Sequence, residues 1–400
     1  MKRMILIAAA CGLLFAALPT ISRAQPEFSG YYEHTFQADY SKRAATETLL
    51  DVSKLRLDIG AGGGDGLFEF RGNLNYIQYH TKVSYDIASY LPQSLVDTFH
   101  QYGMPTTFPL EESRFYLDNA FFAINKNHLR FRAGKQQLSW GTGYSYNPTD
   151  LFHKKTLVDP TYEKEGVTAL RLDLRWGVGG QLTAIMAPGQ TFDGSGYAVR
   201  LGTHLNAIGY DVAVTAHRVI DSTKVDPASF SIFSTGIHPL LQRREALGLE
   251  FSGPLLGLGF WAEGNYNWME KEDDFLRFVT GMDYTFENGL YVMAEAMVNK
   301  RGPWDTPYSM TDWLSYLMYG EPVGRGWVLA GTSKDLTSLT SVALYVFRAF
   351  DGGVMINPRF TWSVAQNADA EFFGAYTTGP AESAFPPGLY SGYARVSVYF

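Results

Sequence analysis

The last eleven residues, Tyr390-Ser-Gly-Tyr-Ala-Arg-Val-Ser-Val-Tyr-Phe400, alternate with a period of two. Gly392, Ala394, Val396, Val398 and Phe400 fall on one face, and Ser391, Arg395 and Ser397 on the other. That pattern makes a strand with one apolar and one wet face. About ten residues is also the length a tilted strand needs to cross a bilayer. Taken alone, the segment would serve equally as the edge strand of a soluble sheet. The rest of the chain decides between the two. Beyond residue 24 the longest apolar stretch is 254–262, far short of the ~18 residues of a membrane helix. In lipid every backbone N–H and C=O must be satisfied internally, so only helices and closed barrels can span. If this chain spans a membrane, it does so as a closed barrel.

The alternation recurs along the chain. Strands are expected at 30–40, 49–60, 67–79, 113–124, 128–136, 167–176, 181–187, 197–205 and 210–219. Nine more follow at 245–252, 256–268, 275–286, 290–299, 326–333, 339–350, 354–365, 371–377 and the terminal segment. Glu287-Asn288-Gly289 between two of them is a hairpin signal. The count is eighteen, with sixteen acceptable. Connections after odd-numbered strands are mostly long: 80–112, 137–166, 188–196, 220–244, 300–325 and 378–389. Those after even-numbered strands are short: 61–66, 125–127, 177–180, 206–209 and 287–289. Asp351-Gly352-Gly353 is a tight exception on the long-loop side. Long loops at one end and short turns at the other are the habit of outer-membrane barrels. The expected fold is therefore all-β, a single transmembrane antiparallel barrel with long extracellular loops and short periplasmic turns.

Composition agrees. Only 18% of residues are charged and 15% are aromatic, with 25 Tyr, 27 Phe and 40 Gly. Few charges with many aromatics suit a wall that touches lipid and carries aromatic girdles. The start, Met-Lys-Arg followed by an apolar run to Leu18 and then Ser22-Arg23-Ala24, reads as a secretory leader, residues 1–24, cleaved before Gln25. The barrel then occupies 25–400. Cys11 is the single cysteine, so the mature chain would hold no disulfide or thiolate metal site. Without Lys2, Arg3 and Arg23 the basic count falls from 33 to 30 against 40 acids, a net charge of −10, which argues against a nucleic-acid partner. No Gly-x-Ser-x-Gly, His-Glu-x-x-His or phosphate-binding glycine pattern is present, so no enzyme activity and no cofactor are expected.

The stretch Gly134-Lys-Gln-Gln-Leu-Ser-Trp-Gly-Thr-Gly-Tyr-Ser-Tyr-Asn-Pro-Thr-Asp150 ends a strand and enters a turn on Asn147-Pro148. It resembles Gram-negative porin-like outer-membrane families in which a basic residue and Gln close a strand, followed by Trp-Gly and later Pro-x-Asp. The terminal strand ending in Phe400 resembles the segment that the outer-membrane insertion machinery reads in such barrels. By that resemblance Lys135, Gln136, Trp140, Gly141, Asn147, Pro148 and Asp150 would shape a loop at the outer mouth. The alternative is a packed turn with Trp140 in the aromatic girdle. The resemblance also implies outer-membrane lipid around the barrel, and homotrimers occur among such porins.

A barrel of this size leaves an aqueous lumen. Alternation turns Lys54, Arg56, Arg130, Arg132, Arg171, Arg175 and Arg200 toward it. Such a wall either favours anionic solutes or braces the barrel through Asp58, Glu69, Asp118 and Asp173, which fall on or near the wet faces. The aromatics of 304–327 either contact solute or pack as girdle and plug. The function expected is passive diffusion of small solutes, anions among them, through a loop-narrowed pore. An export channel for an acidic polysaccharide and a non-conducting adhesive barrel are the alternatives, with an outer-membrane hydrolase behind them.

Overall fold

The computed structural model describes residues 26–400 except 44, 64–65, 81–83, 110–112, 153–165 and 231–236. The expected leader lies outside the described residues. Eighteen strands join one sheet. In chain order they are β1 (Glu27–Ser41), β2 (Thr46–Gly62), β3 (Phe68–Tyr79), β4 (Ser113–Lys126), β5 (Leu129–Gln136) and β6 (Val167–Trp176). Next come β7 (Gly180–Ala187), β8 (Gly196–Leu205), β9 (Tyr210–Asp221), β10 (Gln242–Leu255), β11 (Leu258–Met269) and β12 (Phe275–Thr285). The last six are β13 (Tyr291–Asn299), β14 (Gly326–Asp335), β15 (Thr340–Ala349), β16 (Val354–Ala365), β17 (Ala368–Thr378) and β18 (Leu389–Tyr399). Each pairs antiparallel with its neighbour, and β18 closes on β1 from Tyr31↔Tyr399 to Ser41↔Leu389. Gly30 and Phe400 exchange both backbone hydrogen bonds, at 2.9 and 3.0 Å. Closure removes the two edges that an open sheet would leave unpaired.

The wall is sorted by the period-two pattern. Leu172, Leu174, Val199, Leu201, Leu247 and Leu249 are exposed on the outside, whereas Asp173, Thr183, Asn265 and Asn267 are buried within. A cylinder apolar outside and polar inside is a membrane wall. Among the described residues no helix is long and apolar enough to cross a membrane. Aromatic clusters mark two rims. Tyr40, Tyr390 and Tyr376 meet at the long-loop end, and Tyr284 and Phe286 meet edge-on at the turn end. All connections at the turn end are five residues or fewer. One of them, at Asn127, takes the left-handed conformation (φ 54°) that asparagine tolerates. At the other end 42–45 and 270–274 join 350–353 as tight turns among the long loops.

The largest apolar cluster sits in the mouth, with two smaller ones against the wall. Two short helices form there, α1 (Gln93–Gln101) and α2 (Met310–Tyr319), inside connections that carry no strand pattern. α2 has local reasons to exist. Ser309 and Asp312 make a reciprocal capping box, and Gly320 ends the helix in the left-handed region (φ 69°). Trp313, Leu314 and Leu317 of α2 pack with Leu95 and Phe99 of α1, with Val225 from the β9–β10 loop, and with the inward Leu50, Val52 and Ile77 of β2 and β3. Three loops thus share one apolar cap.

Candidate pore constriction

The β5–β6 connection starts at one wall and reaches the opposite one. Its entry is anchored where β5 stops. Gln136 is fully buried and donates from Nε2 to the Ala169 carbonyl at 3.0 Å. Leu138 and Trp140 then turn inward onto Ala169, Ile185 and Ala198 of the wall. Trp140 sits edge-on to His217 of β9, with ring centroids 5.2 Å apart. It is therefore inside the barrel and not in a girdle.

Residues 141–149 lie against the inner face of β10–β15. Glu263 of β11 receives four donors from the loop. Thr142 N–H (2.7 Å) and Gly143 N–H (3.2 Å) reach Oε2, and Thr149 N–H (2.7 Å) and Oγ1–H (2.8 Å) reach Oε1. Glu295 of β13 also receives four donors, three from the loop and one from Trp261 of β11. Tyr144 N–H (2.6 Å) and Trp261 Nε1–H (2.8 Å) reach Oε2, and Ser145 N–H (2.8 Å) and Oγ–H (2.5 Å) reach Oε1. A carboxylate has about four lone-pair sites, so both are saturated. Four successive backbone N–H groups, 142 to 145, thus clasp two wall carboxylates. The close approach requires Gly141: at φ 101°, a Cβ there would lie 2.5 Å from Glu263 Oε2.

Further contacts fix the crest. Asn265 donates to the Pro148 carbonyl at 2.5 Å, Arg277 to Tyr146 Oη at 2.8 Å, and Trp327 Nε1 to Ser145 Oγ at 3.1 Å. Tyr144 donates to Tyr345 Oη at 2.8 Å and stacks on its ring. Burial first, and then that hydrogen bond, push the Tyr144 phenol up to about 12, so it stays a neutral donor at any physiological pH. Behind the crest is a cavity of 280 Å³ lined by Tyr146, Asp150, Arg277, Glu321 and Trp327.

The sequence-derived loop residues divide. Trp140, Gly141, Asn147, Pro148 and Asp150 belong to the inward loop. Lys135 and Gln136 are the last two residues of β5. Lys135, half-buried on the outer face, pairs with the exposed Thr168, so it shapes the rim of the wall and not the loop. Glu263 and Glu295 were not found from the sequence. The available signal was two acids on otherwise uncharged inward faces, beside Trp261, Asn265 and Met293.

The arginines stand on the facing wall in acid-sharing groups. Arg130 (2.8 Å) and Arg71 (3.0 Å) share Glu69, while Arg132 (3.1 Å) and Arg171 (2.9 Å) share the buried Asp173. Arg56 lies between Asp58 (2.9 Å) and Asp118 (3.8 Å), and Arg200 binds Glu250 at 2.7 Å. Arg175 is exposed near the turn end, and Lys54 is buried over the Tyr31 ring. Arg56, Arg71 and Arg132 line a polar cavity of 430 Å³ with Asn73, Asn119 and Gln137.

No protein-family model and no curated protein matches the sequence. Solved structures do match in fold. OccAB1 of Acinetobacter baumannii superposes with a TM-score of 0.62 at 10% identity, over 95% of this chain and 97% of that one. OccK9 (OpdG) of Pseudomonas aeruginosa gives 0.60 at 10% identity, over 95% and 99%. The outer membrane protein OprD of Pseudomonas aeruginosa gives 0.55 at 10% identity, over 94% and 93%. At such identity the likeness is one of fold.

Proposed function

We propose that the protein is a porin-like channel in the outer membrane of a Gram-negative bacterium, passing small solutes down their concentration gradient with a preference for anions. The chain would reach that membrane after removal of residues 1–24, and β18 would serve the insertion machinery. One observation carries the reading. The β5–β6 loop crosses the lumen and is clasped to the far wall by Glu263 and Glu295, while arginines outnumber acids on the wall it leaves. A barrel built only for adhesion or bracing has no use for a fixed interior constriction, and a gradient-driven pore needs no cofactor. The Occ-type fold agrees with this reading. The preference for anions rests on β5 and β6, where Arg130, Arg132, Arg171 and Arg175 face the single Asp173, with Glu69 contributed by β3. Low-dielectric walls amplify such an excess.

The test is planar-bilayer recording of purified protein. Steady open-channel current is expected, and its complete absence would overturn the proposal. In Arg130→Gln/Arg132→Gln/Arg171→Gln/Arg175→Gln protein the anion-over-cation permeability ratio should fall about threefold in dilute salt, with less effect in concentrated salt. An unchanged ratio would assign these residues to bracing alone.

A further inference from the structure

We propose that the outside of the barrel carries a binding site for one zinc-class divalent metal ion, formed by His34 of β1, Asp51 of β2 and His80 at the end of β3. All three belong to the outward face. His34 lies between the exposed Tyr32 and Phe36, and Asp51 between Leu49 and Leu55. Register places them side by side: His34 is opposite Ser53 and Phe36 opposite Asp51, and His80 N–H donates to the Asp51 carbonyl at 2.9 Å. His34 is four residues above Gly30, the partner of Phe400, and six below Tyr40 of the rim cluster. With ~3.3 Å per residue and ~40° tilt, that is about 10 Å above one boundary and about 15 Å below the other. The site therefore spans from the middle of the lipid-facing belt toward its outer rim.

Polar groups on a lipid-facing wall are costly, and those that persist are paired or functional. Here they converge. One ligand atom each from His34, Asp51 and His80 lies within 4.8 Å of the other two. His34 Nε2 and Asp51 Oδ1 are 3.2 Å apart, the separation of adjacent ligands around an ion with bonds of about 2.0–2.2 Å. Supporting contacts are in place as well. Ser53 Oγ meets His34 Nδ1 (3.1 Å), His80 Nε2 (2.7 Å) and Tyr32 Oη (2.9 Å). One hydroxyl thus orients both imidazoles, the outer-shell role that sets tautomer and ring direction at metal sites. Two imidazoles and one carboxylate favour zinc, nickel or copper over calcium or magnesium, which prefer oxygen. A divalent ion there would also neutralise Asp51 and clip three strands together where the cap-forming 80–112 loop departs.

The experiment uses tag-free full barrel in detergent, chelator-stripped and titrated with zinc chloride by calorimetry. About one ion per chain is expected at micromolar affinity. His34→Ala, His80→Ala and Asp51→Asn should each weaken binding at least about tenfold, and Ser53→Ala about tenfold, in line with ligand and outer-shell losses elsewhere. His204→Ala, which removes a His–Asp pair at the turn end, should leave the isotherm unchanged. Heat-modifiable gel migration verifies that each variant is a folded barrel. Zinc should raise the unfolding temperature of the wild type and not of His34→Ala/His80→Ala. Folded wild type that binds no zinc at ~100 µM, or binding equally strong in that double variant, would overturn the site.

Discussion

Glu263→Gln/Glu295→Gln protein should conduct at least about twofold more current per channel than the wild type, because the loop that narrows the lumen loses its moorings. Each wild-type carboxylate accepts four hydrogen bonds, three of them from backbone or tryptophan N–H groups at Glu295 and three from backbone N–H groups at Glu263. Hydrogen bonds to a charged group contribute roughly 1.5–3 kcal/mol each. Glutamine preserves the shape but keeps one acceptor oxygen and aims an NH₂ at donors that already point inward. Leaving buried donors unmet costs about 1–3 kcal/mol apiece, so about 3 kcal/mol per substitution is a conservative figure. Every 1.4 kcal/mol is a factor of ten in population, which makes the double change enough to favour an undocked loop. The wall should survive, since β5, β6, β11 and β13 keep their ladders. Single-channel recording gives the conductance, and brief proteolysis of folded barrels reports whether 141–149 has become accessible. Unaltered conductance together with unaltered protease resistance would show that the loop is held by Asn265, Tyr345 and Trp327 instead.

That pair of acids also shows where sequence reading stops. The wall was legible strand by strand, because each strand has lipid on one side and water or loop on the other. β6 alternates Leu170, Leu172 and Leu174 with Arg171, Asp173 and Arg175, and needs nothing else to be found. Three acid partners of the arginines were legible too, since Glu69, Asp118 and Asp173 occupy inward positions on the same strand as an arginine or on strands one or two places away. Contacts across the lumen leave no such trace. Glu263 meets Thr142 over 121 positions of chain, and no period links them. The loops hid their structure for a related reason: α1 and α2 are only nine and ten residues long. α2 nevertheless carried a readable signature in Ser309, Asp312 and Gly320. The aromatics of 304–327 have separate tasks that composition could not divide. Trp313 is buried in the cap, Trp304 stacks on Phe350 at the outer surface, and Trp327 holds the loop crest.

The cap should depend on Glu321 more than on any other charged side chain of its loops. Glu321 follows α2 and is buried between Arg277 of β12 and Arg301 of the loop. Arg301 also contacts Asp221 at 2.7 Å and bonds Glu272, while Arg244, Arg277 and Arg301 surround the Phe275 ring at 4.9–5.2 Å. Removing one partner of a buried pair costs about 3–5 kcal/mol, because the remaining charge stays out of water. In Glu321→Gln protein the 300–325 loop should therefore open, and trypsin should cut folded barrels there several-fold faster than it cuts the wild type. The pH dependence separates this from a packing effect. Burial alone would raise the Glu321 carboxyl, but the guanidiniums of Arg277 and Arg301 outweigh it and hold the group below the usual carboxylate range. A depressed folded value contributes stability that is present above the unfolded value of about 4.3 and is lost as pH falls through the folded one. Near-ultraviolet circular dichroism of the wild type should thus show the tertiary signal of the cap melting as pH drops below about 4. The glutamine variant has no carboxyl to protonate at this position, so its acid transition should be much weaker and its cap loose already at neutral pH. Equal trypsin rates and equal acid transitions in the two proteins would mean that the apolar contacts of Trp313, Leu314 and Leu317 hold the cap without the ion network.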